Sequence, residues 1–411
     1  MNKVTIKADR LWDSLMQMAK IGATEKGGCC RLALTDLDKQ SRDLFVDWCK
    51  QEGCTIRIDK MGNIFARRAG KDNTLPPVMM GSHLDTQPTG GKFDGVYGVL
   101  SGLEVIRSLN DHKITTKGPV ETSVWTNEEG SRFAPAMVAS GVFAGVFDLE
   151  YGLSRADLDG LTMGQELQRI GYDGDTQVGG MPVKAFFEAH IEQGPILEHE
   201  AVTIGVVSHA QGQRWYEVTF TGQESHAGPT PMAIRKDALV GAAKVIAQVN
   251  AIGLEHAPLG CATVGLIQSY PNSRNVIPGE VFFTIDIRHP EDNVLSQMDA
   301  KVCAAVESAA KQHGLAVAFE EIWYSPPVAF DEQCVASVRQ AAKEAGYSHR
   351  DIVSGAGHDA CYISRIAPTA MVFVPCENGI SHNEAENALP EDLGAGCQVL
   401  LQAVLTQAGI V

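Results

Sequence analysis

The chain has 411 residues, 44% of them hydrophobic, and a formal net charge of −16. That length favours two domains, with ample apolar content for packed cores. No Lys/Arg cluster offsets the negative balance, which argues against nucleic acid as a partner. The ten cysteines, at 29, 30, 49, 54, 261, 303, 334, 361, 376 and 397, form no C-x-x-C pair. Several lie in apolar patterns, as buried free thiols of a reducing compartment do. The start, MNKVTIKADRLWDSL, lacks the apolar stretch of a signal peptide. No apolar run approaches the roughly 18 residues of a membrane span. A cytoplasmic protein without membrane contact is expected.

In chain order, residues 8–20 and 36–52 carry helical patterns, the second stopped by Gly53. Short strands are expected at 55–59 and 63–68. Val78, Met79 and Met80 then begin a buried strand that delivers His83 and Asp85. A Gly/Pro-rich loop follows, and Asp94 opens a helix with apolar spacing at Val96, Val99, Leu100, Leu103 and Ile106. A strand at 120–126 ends in Asn127-Glu128-Glu129-Gly130, and one at 184–191 ends in the HIEQG of His190 to Gly194. Between them, 131–183 is glycine-rich, with helical pieces that the pattern does not order.

The rhythm then changes. A strand at 214–221, a helix at 236–253, strands at 261–270 and 280–289, a helix at 293–314 and a strand at 315–324 give βαββαβ, the ferredoxin-like split pattern. Residues 211–326 therefore read as a domain inserted into a first domain made of 1–210 and 327–411. The α/β alternation resumes with a helix at 331–345, a strand at 351–353, the SGAGHDA stretch, a strand at 369–375, the loop ENGISHNEAE with His382, and a last helix from 391. The expected fold is α/β, a mixed-sheet metal-binding catalytic domain carrying a ferredoxin-like insertion.

Three strands thus end in polar clusters: His83 with Asp85, Glu128 with Glu129, and His190 with Glu192 and Gln193. One polar residue at a strand end is ordinary loop chemistry; three strand ends with metal-type ligands point to a shared site. His83, Asp94, Glu128, Glu129, His190 and His382 together suit zinc, and also manganese or cobalt. One carboxylate can bridge two ions and leave room for a water that they activate. An acid left over can serve as general base. Adjacent glutamates can point different ways, one to metal and one to water; alone they would read as a solvated turn. Asp85 either braces the His83 imidazole or is a plain loop carboxylate.

GSHLDT with GGKFDG, NEEGSRF, HIEQG, ESHAGPTPM, NSRNVIPGE, DIRHP, SGAGHDA and GISHNEAE together resemble the hydantoinase/carbamoylase family of dinuclear zinc amidohydrolases. That family includes N-carbamoyl-L-amino-acid hydrolases, β-ureidopropionases and allantoate amidohydrolases, within the aminoacylase and carboxypeptidase clan. The resemblance implies two divalent ions, most often Zn2+, with Mn2+, Co2+ or Ni2+ as substitutes. It makes Asp94 the bridge, His83 and His190 the ligands of one ion, and Glu129 and His382 those of the other. It makes Glu128 the general base, and Asp85 is counted with the catalytic residues as the brace of His83. The clan's peptidases usually carry an acid where His190 stands, so the resemblance favours carbamoyl substrates over peptides. The insertion resembles the family's dimerisation and lid domain, with His226 reaching the partner's site in a homodimer. Arg288 and Asn275 resemble residues that grip a substrate carboxylate, as an Arg fork does well; a surface salt bridge is the other reading of Arg288. Gln193, Arg214 and Gly357 are further substrate-site candidates, and His358 and Asp359 are left without a role.

Overall fold

The computed structural model describes residues 4–411. Four strands fix its first unit: Val78–His83, Val120–Trp125, Ala185–Ile191 and Thr369–Val374, buried at every position. Strands buried on both faces read as continuous apolar runs and pair in parallel beneath covering helices. Here Val120–Trp125 pairs with Val78–His83, that strand with Ala185–Ile191, and that one with Thr369–Val374, all parallel. Antiparallel strands flank them, Thr55–Ile58 and Ile64–Arg68 on one side and Ile204–Ala210 on the other, so the sheet is mixed. Because the four central strands run the same way, their C-terminal ends share one edge. That edge is where an open α/β sheet binds ligands.

The chain divides into two compact units, 1–209 with 329–411, and 210–328. The second unit has the strands Gly212–Thr221, Cys261–Thr263, Ile267–Tyr270, Glu280–His289 and Ala316–Ser325 and the helices Ala238–Glu255 and Asp292–His313. Its sheet is antiparallel, with Gly212–Thr221 between Ala316–Ser325 and Glu280–His289, the order of a ferredoxin-like unit. The expected strand at 261–270 is instead two short pieces, broken at 264–266, that pair with different parts of Glu280–His289. The helix Ala238–Glu255 is, by length and composition, apolar enough to cross a membrane, contrary to the reading of the sequence. Its Ala238, Ala242, Val245, Val249 and Ile252 pack in the core of this unit, which accounts for much of that character.

The glycine-rich 131–183 segment contains the helices Val138–Phe143, Leu149–Ser154 and Met163–Ile170. The last begins with a capping box between Thr162 and Gln165. All ten cysteines are free, and Cys261 is exposed rather than buried.

The helix Val96–Asp111 lies on the parallel strands along a glycine seam. A side chain at Gly98 would collide with the carbonyl oxygen of Ala189, and one at Gly102 with the Thr122 hydroxyl. Backbone cannot yield as a flexible side chain can. Gly98→Ala is therefore expected to cost about 1–3 kcal/mol of stability, as overpacking does. A lowered urea midpoint checks this; an unchanged midpoint would contradict the close seam.

Candidate metal centre

His83 closes its strand and Asp94 returns to it across the loop. The return needs Gly95, which has φ +66° and sits so close to the His83 ring that any side chain there would collide with it. His83 Nδ1 lies 2.9 Å from the carbonyl oxygen of Asp85. A carbonyl only accepts, so Nδ1 carries hydrogen and Nε2 is the nitrogen turned toward the site. His190 repeats the device, with Nδ1 2.9 Å from the Ile191 carbonyl oxygen. Orienting an imidazole through its other nitrogen is the usual arrangement of a metal-binding histidine.

Both Nε2 atoms face one oxygen of Asp94, Oδ1, at 3.5 Å for His83 and 3.2 Å for His190. The other oxygen, Oδ2, lies 3.4 Å from His382 Nε2, which is itself 3.3 Å from Glu129 Oε2. Two groups of metal-type donors result, His83–Asp94–His190 and Asp94–Glu129–His382, and they share only Asp94. Nitrogen and carboxylate donors in this mixture suit a zinc-type ion. His382 reaches its place with a left-handed backbone, φ +53°, a conformation uncommon outside glycine.

Glu128 stands beside these groups, Oε2 3.4 Å from His83 Nε2. Its backbone amide and that of Glu129 each point at Asp85, N to Oδ1 and N to Oδ2, both 3.3 Å. Asp85 thus acts differently from the sequence reading. Its carboxylate is 3.9 Å from the His83 ring and holds the glutamate turn, while its main chain braces the imidazole. Gln193 donates from Nε2 to Asp94 Oδ2 at 2.8 Å, and its Oε1 is buried without a partner. Gln87 donates to Glu129 Oε2 at 2.8 Å.

The electrostatics follow from crowding charge in a dry place. Burial alone would depress the His83 pKa, but Glu128, Asp94 and Asp85 outweigh it and raise it well above the imidazole range. Burial opposes ionisation of Asp94, yet His190 and His83 hold it well below the carboxylate range. Burial, reinforced by Asp359, Glu129 and Asp94 and opposed by His83, keeps Glu128 well above that range. Burial and Asp94 push Glu386, which packs against the Asp94 loop, up to about 7. A buried carboxyl poised to hold a proton suits general acid–base work.

The remaining sequence candidates lie in other surroundings. Gly357 is half-buried, just before the helix Asp359–Ile363. His358 packs edge-on against His190 with ring centroids 4.6 Å apart and bonds Ser354 at 2.9 Å. In the second unit His226 is exposed, on a two-residue strand opposite Val276, and the Ala227 amide donates to the Asn275 carbonyl at 2.8 Å. Those contacts make His226 and Asn275 neighbours. Arg288 is held by Asp286, two residues earlier on the same face of its strand, with Nη2 to Oδ2 2.7 Å. Arg214, the other arginine among the substrate-site candidates, has different surroundings. It lies on the helix-covered face with Tyr216, paired with Glu321 and stacked 4.0 Å from the Tyr324 ring centroid. Trp215 and Asp286 pair directly across the strands, so Arg288 is on the opposite face of the sheet.

Sequence reasoning passed over Ser381 and Glu386. Ser381 Oγ lies 2.8 Å from Asp94 Oδ2 and 2.8 Å from Glu386 Oε2. Both residues stand in GISHNEAE beside His382, where nothing in the local pattern sets them apart from loop polarity.

A family model for peptidase family M20/M25/M40 matches residues 79–406. An N-carbamoyl-L-amino-acid amidohydrolase of Rhizobium meliloti is 52% identical over 99% of this chain and 98% of its own. A hydantoinase/carbamoylase family amidase from Burkholderia vietnamiensis superposes with a TM-score of 0.99 at 66% identity, covering 99% of both chains. The chain belongs to the M20/M25/M40 family and, within it, to the hydantoinase/carbamoylase amidases. An allantoate amidohydrolase of Bacillus subtilis is a more distant relative, 34% identical over 97% of each chain. The family is metal-dependent, and the two donor groups fit that chemistry.

The carboxylates around His83 hold its pKa above the imidazole range and so set proton against metal, because only a neutral imidazole ligates. With that pKa raised, affinity should rise with pH through neutrality, and binding should release protons. Calorimetric titration of chelator-stripped protein with Zn2+, in buffers of different ionisation enthalpy, measures the release. Proton-neutral, pH-independent binding would contradict the assignment.

Proposed function

We propose that the protein hydrolyses N-carbamoyl amino acids, R–NH–CO–NH2 with water giving R–NH2, carbon dioxide and ammonia. The observation that carries this reading is one buried carboxylate, Asp94, shared by two donor groups, with Glu128 left over beside them. The 52% identity to an N-carbamoyl-L-amino-acid amidohydrolase supports the substrate class above the allantoate reading, at 34%.

His83 and His190 would hold one ion and Glu129 and His382 the other, with Asp94 between them. Zn2+ is the proposed occupant, and Mn2+, Co2+ or Ni2+ suit the same donors. When bound, the ions supply Lewis acidity and lower the pKa of water held there. Glu128 accepts the proton that the attacking water gives up and returns it to the leaving nitrogen. Arg288 and Asn275 grip the carboxylate, with Asp286 fixing the direction of the guanidinium. His226 polarises the ureido carbonyl of the partner subunit's substrate in a homodimer; its exposure on its own chain supports this. Gln193, whose buried Oε1 has no partner, and Gly357 complete the substrate surroundings. Ten free thiols support a reducing compartment, the cytoplasm.

A substrate panel tests the reading. Ammonia release should be fastest from N-carbamoyl α-amino acids, slower from N-carbamoyl-β-alanine and allantoate, and least from N-acetyl amino acids and from a carbamoyl amine lacking the carboxylate. Glu128→Gln should lower kcat by about 10²–10⁴-fold, as loss of a general base does, with metal content unchanged. Preferred release from N-acetyl amino acids, or an active Glu128→Gln enzyme, would overturn the proposal.

A further inference from the structure

Glu386 lies four residues beyond His382, in a segment distant in sequence from Asp94, yet it is 1% exposed and fully engaged. Its Oε1 accepts from the backbone amides of Phe93 and Asp94, at 2.8 and 3.1 Å. Its Oε2 is 2.8 Å from Ser381 Oγ, the hydroxyl that also reaches Asp94 Oδ2. The Glu386 amide donates to the Asn383 carbonyl at 3.0 Å, which closes the turn directly after His382. The Asp94 loop is shaped to receive this side chain, since any substituent on Gly91 would run into the Glu386 carboxyl.

We propose that Glu386 is the positioning residue of the centre, bracketing the loop that delivers Asp94 to the loop that delivers His382. It touches no substrate. One oxygen fixes the backbone on which Asp94 stands; the other, through Ser381, fixes the shared carboxylate and the residue next to His382. Asp94 belongs to both donor groups, so an error in its position reaches both ions. The inference rests on the metal-centre reading above.

The bracket is made of hydrogen bonds and not of charge. A glutamine at 386 can accept from the two amides through its oxygen and donate to Ser381 through its nitrogen. Alanine can do neither. Outer partners of metal ligands cost about 10- to 100-fold in metal affinity when removed.

The test uses chelator-stripped wild type, Glu386→Ala, Glu386→Gln and Ser381→Ala, titrated with Zn2+ against a chromophoric chelator, with bound ions counted by mass spectrometry. Thermal melts of the stripped proteins report folding. The expected result is two ions on the wild type and affinity for both lowered about 10- to 100-fold in Glu386→Ala. Glu386→Gln should stay with the wild type, and Ser381→Ala should weaken binding less than Glu386→Ala. If Glu386→Ala does not fold, the comparison of Glu386→Gln with Ser381→Ala decides. Wild-type affinity in Glu386→Ala or Ser381→Ala, or weakened affinity in Glu386→Gln, overturns the bracket while leaving the centre in place. A wild type that binds no ion fails the metal-centre reading itself.

Discussion

One carboxylate facing two ways is the constraint on which the first unit depends. Asp94 Oδ1 looks toward His83 and His190, and Oδ2 toward His382. A buried carboxylate is costly unless it is paired or coordinates a metal. The surroundings answer that cost with three imidazoles, a glutamine amide and a serine hydroxyl. They come from three separate parts of the chain: His83, then His190 with Gln193, then Ser381 with His382. Parallel pairing of four buried strands gathers most of them, because strands that run the same way end on the same edge. Short strands and long helical connections then become the means of placing donors, and the glycines at 95 and 98 permit the approaches this demands.

The same crowding divides labour among the acids. Asp94, surrounded by imidazoles, stays ionised and suits ions; Glu128, buried beside other carboxyls, is pushed toward holding a proton. Environment rather than residue type separates the two carboxyls, in line with the roles proposed for them. Asp85 adds a third use of a carboxylate, taking two backbone amides so that Glu128 and Glu129 diverge. In the second unit Asp286 holds the Arg288 guanidinium through Nε and Nη2, which fixes its direction for the carboxylate contact proposed for it.

Much of this was legible in the sequence, for a physical reason. The buried parallel strands are rich in apolar residues and end on one edge, so position in the sequence was enough to make His83, Glu128, Glu129 and His190 candidates for one site. The βαββαβ rhythm gave the insertion in the same way. Other features depend on contacts that no local pattern encodes. Glu386 and Ser381 look like loop polarity until tertiary folding buries them. The Asp85 main chain, not its side chain, meets His83, and periodicity says nothing about that choice. Arg214 is a different case. Its parity with Tyr216, Val218 and Phe220 was in the sequence, and alternation along a strand would have assigned it to the helix-covered face. The break at 264–266 follows from two short segments meeting different stretches of one long strand, which is a matter of pairing.

The account stands on Asp94 touching two ions at once. Anomalous diffraction at the zinc edge, from crystals of the metal-loaded protein, measures this most directly. Two anomalous peaks on opposite sides of the Asp94 carboxylate, one beside His83 and His190 and one beside Glu129 and His382, are the result the account predicts. A single peak, or two peaks of which one makes no contact with Asp94, would contradict it.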